Sequence, residues 1–210
     1  GIFPIDCGGV SEHDNGNGSL MRILPILFYL QSIYGSEFQD IDEAFKIIHN
    51  VSALTHGHKR SQIACGIYIS IASEILKQMD LKIAIESGIY KAMEYYKKQN
   101  DFVDELTYFN RLAEKNFFKT PLEKIKSSGY VVDTLEAAVW CLLNTNNYKD
   151  CVLKAVNLGG DTDTVAAVAG GLAGLRYGYD NISKEWLATI AKREYIEDLC
   201  EQLNLAVTRT

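Results

Sequence analysis

Gly159-Gly160-Asp161-Thr162-Asp163-Thr164-Val165-Ala166-Ala167-Val168-Ala169-Gly170-Gly171-Leu172-Ala173-Gly174-Leu175 has no charged residue between Asp163 and Arg176. A segment this apolar does not suit a surface, so it reads as a helix driven into a core. The turn in front of it packs two carboxylates and two hydroxyls into the four residues from Asp161 to Thr164. Hard oxygen donors at that density are what a Mg²⁺-type cation requires, and the Gly-Gly pair lets the backbone turn sharply before them. A buried helix behind the turn would hold it in one place. The competing reading makes Asp161 or Asp163 an N-cap, with Thr164 satisfying free N–H groups. That reading accounts for one aspartate better than for two.

Outward from this segment, the bulk properties narrow the class. At 210 residues the chain is most simply one domain, long enough to bury about 70% of its unfolded surface. Apolar content of 47% and charged content of 23% are those of an ordinary globular protein. A net charge of −6 with no basic stripe argues against a general nucleic-acid or anionic-membrane partner. The five cysteines include no C-x-x-C pair, and Cys65, Cys141 and Cys200 sit among apolar residues at helical spacing. Buried free thiols in a reducing cytoplasm are therefore expected, not a disulfide framework or a zinc site. No signal-peptide pattern opens the chain, and the longest apolar runs are too short to span a bilayer.

Helical period runs through nearly every stretch between Ser19 and Ala206, while strand alternation is scarce. Ser19 to Tyr34 reads as one helix ended by Gly35. Asp40-x-x-Glu43 resembles a capping box opening a helix from Glu43 to Leu54. Ile63, Ile67, Ile71 and Ile75 form a core stripe on a helix from Ser61 to Lys77. Asp80 starts another, reaching about Lys98, on which Tyr90, Tyr95 and Tyr96 are expected to be half-buried. A short helix follows Asp101-Phe-Val-Asp104, and Thr120-Pro121-Leu122-Glu123 signals a further short helix. Asp133 to Leu143, Tyr148 to Asn157, Thr164 to Tyr177 and Ser183 to Leu205 complete the set, the last in two pieces. The fold class is an all-α, single-domain helical bundle over 1–210. Gly170, Gly174 and Gly178 at fourfold spacing predict close helix–helix approach.

Three further stretches carry chemistry-bearing residues. Asn15-Gly16-Asn17-Gly18-Ser19 leads into an apolar helix; alternating glycines there allow close backbone approach, and free N–H groups favour an anion such as a diphosphate. Asn-Gly runs are also ordinary turn formers. Arg22, one turn inside, adds charge or pairs with an acidic neighbour. In Thr55-His56-Gly57-His58, His56 is the better candidate for contact with a ligand, and His58 suits a helix C-terminus. Tyr130 stands at a turn before a helix, placed either to stack on a purine or to pack beside Asp133 and Thr134.

Together Asn15-Gly-Asn-Gly-Ser-Leu-Met-Arg22, Thr55-His56, Gly129-Tyr-Val-Val-Asp-Thr-Leu135 and Gly159-Gly-Asp-Thr-Asp-Thr164 resemble, in order and over most of the chain, the ADP-ribosylglycohydrolase family. The resemblance implies an all-α fold, two Mg²⁺ or Mn²⁺ ions, and hydrolysis of the bond joining the anomeric carbon of ADP-ribose to a protein side chain or another ADP-ribosyl group. It implies that Asp161, Asp163 and Thr164 bind metal, with both aspartates at the reacting centre. Asn15, Gly16, Asn17, Gly18 and Ser19 would cradle the diphosphate, His56 would contact the ligand, and Tyr130 would lie near the ribose or adenine. The partner implied is an ADP-ribosylated protein or an ADP-ribose-containing small molecule.

The chain departs from the family pattern in one respect. The family's opening Gly-Asp-Ala-Leu-Gly type segment and its Thr-Asp-Asp motif, which binds the same metals from the other side, do not occur in these 210 residues. The expectation is therefore a carboxy-terminal portion of such a hydrolase, with about half of the metal shell. A non-catalytic ADP-ribose-binding or structural relative is the alternative. An unrelated all-α phosphohydrolase using His56 and His58 is the third reading.

Overall fold

The structure is a computed structural model describing residues 1–208, so the last two of the 1–210 range lie outside the described residues. Ten α-helices follow in order: α1 Gly18–Arg22, α2 Ile26–Tyr34, α3 Asp42–Ala53, α4 Lys59–Leu76, α5 Leu81–Lys97, α6 Val131–Leu143, α7 Tyr148–Val156, α8 Thr162–Tyr177, α9 Lys184–Thr189 and α10 Arg193–Thr208. Among the described residues there is no named strand, and two isolated bridges, Gly9 with His56 and Gly16 with Tyr130, are the extended pairings. The all-α class expected from the periodicity is the one observed.

The isoleucine stripe explains the centre. Ile63, Ile67 and Ile71 are fully buried, Ile75 nearly so, and every residue from Arg60 to Ile75 is buried. Neighbours therefore enclose α4 on all sides: α5, α3, α6, α8 and α1. Two glycines set the α4–α5 approach. A Cβ on Gly88 would lie 2.5 Å from Ile71 Cα, and one on Gly66 would overlap the Tyr96 hydroxyl. The apolar helix that follows the acidic turn is α8, with Val165, Val168, Ala169, Leu172 and Ala173 buried against α6 and α7. Tyr68 Oη donates to the Val168 carbonyl at 3.0 Å and ties α4 to α8.

Several local expectations are corrected by packing. The helix expected over Ser19–Tyr34 is broken into α1 and α2, because Pro25 lacks an N–H and disfavours helical geometry at Leu24. α3 starts at Asp42, with Ile41 at the cap and no side-chain cap bond, so Asp40 does not form the expected box. Between Asp101 and Tyr130 there are only 3₁₀ turns, at Val103–Phe109, Phe117–Lys119 and Leu122–Lys124. Carbonyls there are taken by tertiary partners: Trp140 Nε1 donates to Thr120 O, Asn144 Nδ2 to Phe118 O and Arg111 Nη1 to Lys124 O. That competition holds the last two of these 3₁₀ segments to a single turn each. α6 begins at Val131, two residues before Asp133, with Tyr130 at its N-cap. The tyrosines divide: Tyr95 and Tyr96 are buried, whereas Tyr90 is 65% exposed.

The glycine expectation for α8 is also redistributed. Gly170 faces Tyr148 and Val152 of α7 at ordinary contact distance, and Gly178 ends the helix with φ +84°. The crowded position is Gly171, whose Cβ would lie 2.6 Å from Tyr68 Oη. Cys65, Cys141 and Cys151 are buried free thiols, but Cys200 is exposed, because α10 buries none of its residues. His49 is a core histidine: it meets Tyr96 Oη at 2.9 Å, and burial pushes its pKa down to about 3. No helix among the described residues is long and apolar enough to cross a membrane.

Candidate functional site

Four loops converge at one end of α4, α6 and α8. The segment from Asn15 to Asn17 runs alongside Gly129–Val131: Asn17 N donates to Gly129 O at 3.0 Å and Val131 N to Asn15 O at 3.0 Å. The acidic turn is pinned to the same strip. Gly159 and Gly160 have φ +81° and +66°, left-handed values that side chains resist. A Cβ at Gly160 would also sit 2.4 Å from Ser127 O. Asp161 N donates to that carbonyl at 2.8 Å, and Ser127 Oγ donates to Gly159 O at 2.7 Å. The Gly-Gly pair thus serves a double purpose, turning the chain and admitting the neighbouring loop.

Asn17 is the hub. Its Nδ2 donates to Asp161 Oδ2 at 2.7 Å and to Thr134 Oγ1 at 2.9 Å. Thr134 Oγ1 in turn donates to Ser128 O at 3.0 Å. The other Asp161 oxygen accepts from Thr164 Oγ1 at 2.9 Å. The Asn17 bond, ahead of the Thr164 one, holds the Asp161 carboxyl below its ordinary range despite some desolvation. Asp161 stands at the N-cap position of α8 yet makes no side-chain cap bond, so the cap reading does not describe it. Asp163 lies inside the first turn of α8, exposed, and its Oδ1 accepts from the adjacent Thr164 N at 2.9 Å.

His56 lies against the other side of the glycine loop. A Cβ on Gly16 would be 3.2 Å from His56 Nε2, and one on Gly18 would be 2.8 Å from Cε1. Both glycines are thus needed for the imidazole to approach. Gly8-Gly9 holds the His56 backbone from outside: Gly8 N donates to Ala53 O and Gly57 N to Gly9 O, each at 2.9 Å. A Cβ on Gly8 would be 2.3 Å from Ala53 O. In the sequence the pair carries no signal beyond its being doubled. Burial and then the Arg22 charge push the His56 pKa down, against a smaller upward pull from Asp14.

The remaining expected site residues divide. Asn15 and Ser19 are buried and their side chains serve the scaffold: Asn15 Oδ1 accepts from Ser61 Oγ at 3.1 Å, and Ser19 Oγ accepts from Cys65 Sγ at 3.5 Å. Tyr130 is half-buried, with the Arg60 guanidinium 5.8 Å from its ring centroid. Arg60 stacks at 3.4 Å on the Tyr108 ring and pairs with Glu105 at 2.7 Å. His58 is not at the end of a helix but at the start of α4, where its Nδ1 accepts from Arg60 N at 3.2 Å. Arg22 meets no carboxylate among the described residues; it binds Val51 O and Thr55 Oγ1. Thr134 and Ser127 were not singled out as site residues from the sequence, although Thr134 lies in a quoted motif.

As a cation site the donor set is partial. Asp161, Asp163 and Thr164 offer oxygens from a single turn, and both Asp161 oxygens already accept hydrogen bonds. Among the described residues, no three or more His, Cys, Asp or Glu side chains gather closely enough to hold a metal ion. Six-coordinate Mg²⁺ needs more than these. By themselves these residues do not fit a divalent ion. A cleft of about 560 Å³ beside Leu187, Arg193 and Glu197 shares no residue with this cluster.

The ADP-ribosylglycohydrolase family model matches residues 4–210. The chain is 54% identical over 205 residues to the ADP-ribosylarginine hydrolase Tri1 of Serratia proteamaculans (strain 568), covering 93% of this chain and 48% of that protein. It is 32% identical over 206 residues to the ADP-ribosylarginine hydrolase Tri1 of Pseudomonas putida (strain GB-1), covering 93% and 47%. A solved ADP-ribosylglycohydrolase-related protein complex matches with a TM-score of 0.71 at 29% identity, over 95% of this chain and 62% of that one. The chain thus spans about half the length of the curated relatives it matches.

Proposed function

Because the chain belongs to the ADP-ribosylglycohydrolase family, we propose that it forms part of a hydrolase that releases ADP-ribose from modified protein side chains. Arginine is the first linkage to test, as two relatives are named ADP-ribosylarginine hydrolases. The observation that supports this reading best is the Asn17–Asp161 bond, which joins the glycine loop to the acidic turn across 144 residues. A ligand seated on the loop thereby lies beside an ionised carboxylate.

The chemistry suits that arrangement. Water adds its oxygen to the anomeric carbon as the C–N bond to the guanidinium breaks, and a proton ends on the departing nitrogen. Positive charge builds at the sugar on the way, and a nearby carboxylate stabilises it. Asp161 is the residue for that role, with its charge maintained by Asn17 and Thr164. Gly16 and Gly18 leave the backbone open to a diphosphate, His56 offers a ring nitrogen beside it, and Tyr130 an aromatic face. Asp161, Asp163 and Thr164 would contribute oxygens to a Mg²⁺ or Mn²⁺ ion only as part of a larger donor set, since alone they do not fit one.

The incomplete donor set favours a second reading, an ADP-ribose binder without turnover. Calorimetry with ADP-ribose and release of ADP-ribose from an ADP-ribosyl-arginine peptide, both with Mg²⁺ present, separate the two. Turnover that falls about 100-fold or more in Asp161→Asn is expected for the hydrolase. Binding with no turnover supports the second reading, and neither binding nor turnover sinks both.

A further inference from the structure

We propose that Arg22 and Thr55 are positioning residues that lock His56 into the tautomer with its proton on Nε2, aiming an N–H donor at an anionic oxygen seated on the Asn15–Ser19 loop. The ligand half of this statement rests on the reading above; the tautomer half does not. The chain of contacts starts on α1. Arg22 Nη1 donates to Val51 O at 2.9 Å, which fixes the guanidinium, and Nη2 donates to Thr55 Oγ1 at 2.6 Å. Thr55 Oγ1 lies 2.8 Å from His56 Nδ1.

A threonine hydroxyl has one proton to give. Accepting from a cationic donor polarises its O–H bond, making it a better donor and a poorer acceptor. The Thr55 proton therefore points to His56 Nδ1. A neutral imidazole that accepts at Nδ1 carries its hydrogen on Nε2. Neutrality is favoured by burial and by the Arg22 charge, which together outweigh Asp14. His13 and Asp14 precede the loop, and Arg22 approaches from α1, so the charged surroundings of the ring are of mixed sign.

The backbone that carries the ring is fixed, and the Thr55 hydroxyl at Nδ1 sets the ring's orientation on it. His56 N donates to Ser52 O at 2.8 Å, Ser52 Oγ donates to His56 O at 3.0 Å, and residue 56 bridges Gly9. Nε2 lies over Gly16, and no hydrogen bond among the described residues engages it. What is held at the loop is thus a pre-oriented donor. A diphosphate oxygen is the matching acceptor.

Histidine side-chain ¹⁵N–¹H correlation spectra of the ligand-free 210-residue chain at neutral pH test the relay directly. The expected result is His56 protonated at Nε2 and bare at Nδ1. Thr55→Val, which keeps the shape and drops the hydroxyl, should give mixed tautomers, and Thr55→Ser should restore the wild-type pattern. Titration with ADP-ribose should show roughly tenfold weaker binding for Thr55→Val and near-wild-type binding for Thr55→Ser. A proton on Nδ1 in the wild type, or an unchanged tautomer in Thr55→Val, overturns the inference. A wild-type chain with the stated tautomer that does not bind ADP-ribose overturns the reading of the loop while the relay stands.

Discussion

Helices α8 and α10 have the same length and lie close together in the chain, yet they are the opposite extremes of burial. The first has seven buried residues and fastens the acidic turn at its start. The second has none, although Ile196 and Leu199 recur at helical spacing, and its principal neighbour is α2. Amphipathic period thus says that a helix forms, while the amount of surface it buries depends on what the fold brings to its apolar face. Stability concentrates around α4 and α8. The candidate site is attached to that part.

Perturbations at the centre should therefore cost far more than those at the periphery. The largest effect is expected for Gly88→Ala, which places a Cβ against the Ile71 backbone and must push α5 off α4. A loss of about 3 kcal/mol, read in urea denaturation, is expected; a change under about 0.5 kcal/mol would show that the helices separate freely. Next comes Asn17→Ala, which takes away the donor shared by Asp161 and Thr134. About 1–2 kcal/mol of stability should go, with ADP-ribose binding reduced as well. Loss of stability with unchanged binding would separate the loop from the ligand.

Acid should also act on the centre. Glu37 reaches both Lys77 and Lys91, and those bonds, the Lys77 one foremost, hold its pKa down to about 2. Glu74 is pushed up by burial but pulled down further by the same two lysines. For carboxyls depressed on folding, the stabilisation is present above their ordinary values near 4.5 and is lost as pH falls toward the folded value. Glu37 is largely exposed, so solvent screens its share. Unfolding midpoints should drop between pH 4.5 and pH 2, and drop less steeply in Glu37→Gln. The smallest effect is expected for Leu199→Ser on α10, under about 0.5 kcal/mol. A loss above about 2 kcal/mol would mean that α10 is covered in solution, and the contrast with α8 would collapse.

Much of this was legible in the residues. The α4 stripe, the Asp80 cap of α5 and the buried α8 follow from period and composition, since burial and cap bonds act over one or two turns. The short helices expected after Asp101 and at Thr120 are 3₁₀ turns, the second because Trp140 of α6 and Asn144 beyond its end claim the Thr120 and Phe118 carbonyls, a competition no local pattern records. Cys200 was misjudged for the complementary reason: its neighbours have the right spacing but no partner face. In the site, Asp161, Asn17 and His56 were nameable from their motifs. Thr134, Ser127 and the Gly8-Gly9 clamp needed coordinates, because their roles are contacts with carbonyls and carboxylates far along the chain.

By itself the sequence determined most of the long helices, which of their faces are apolar, and where polar groups crowd at helix starts. These are set by interactions within a few residues, whose energies the local pattern fixes. Only the tertiary structure decided that Asn17 meets Asp161 rather than solvent, and that Thr55 stands between Arg22 and His56. A hydrogen bond across 144 residues forms only when the packing around it has already fixed both partners, and that order exists in the assembled core alone.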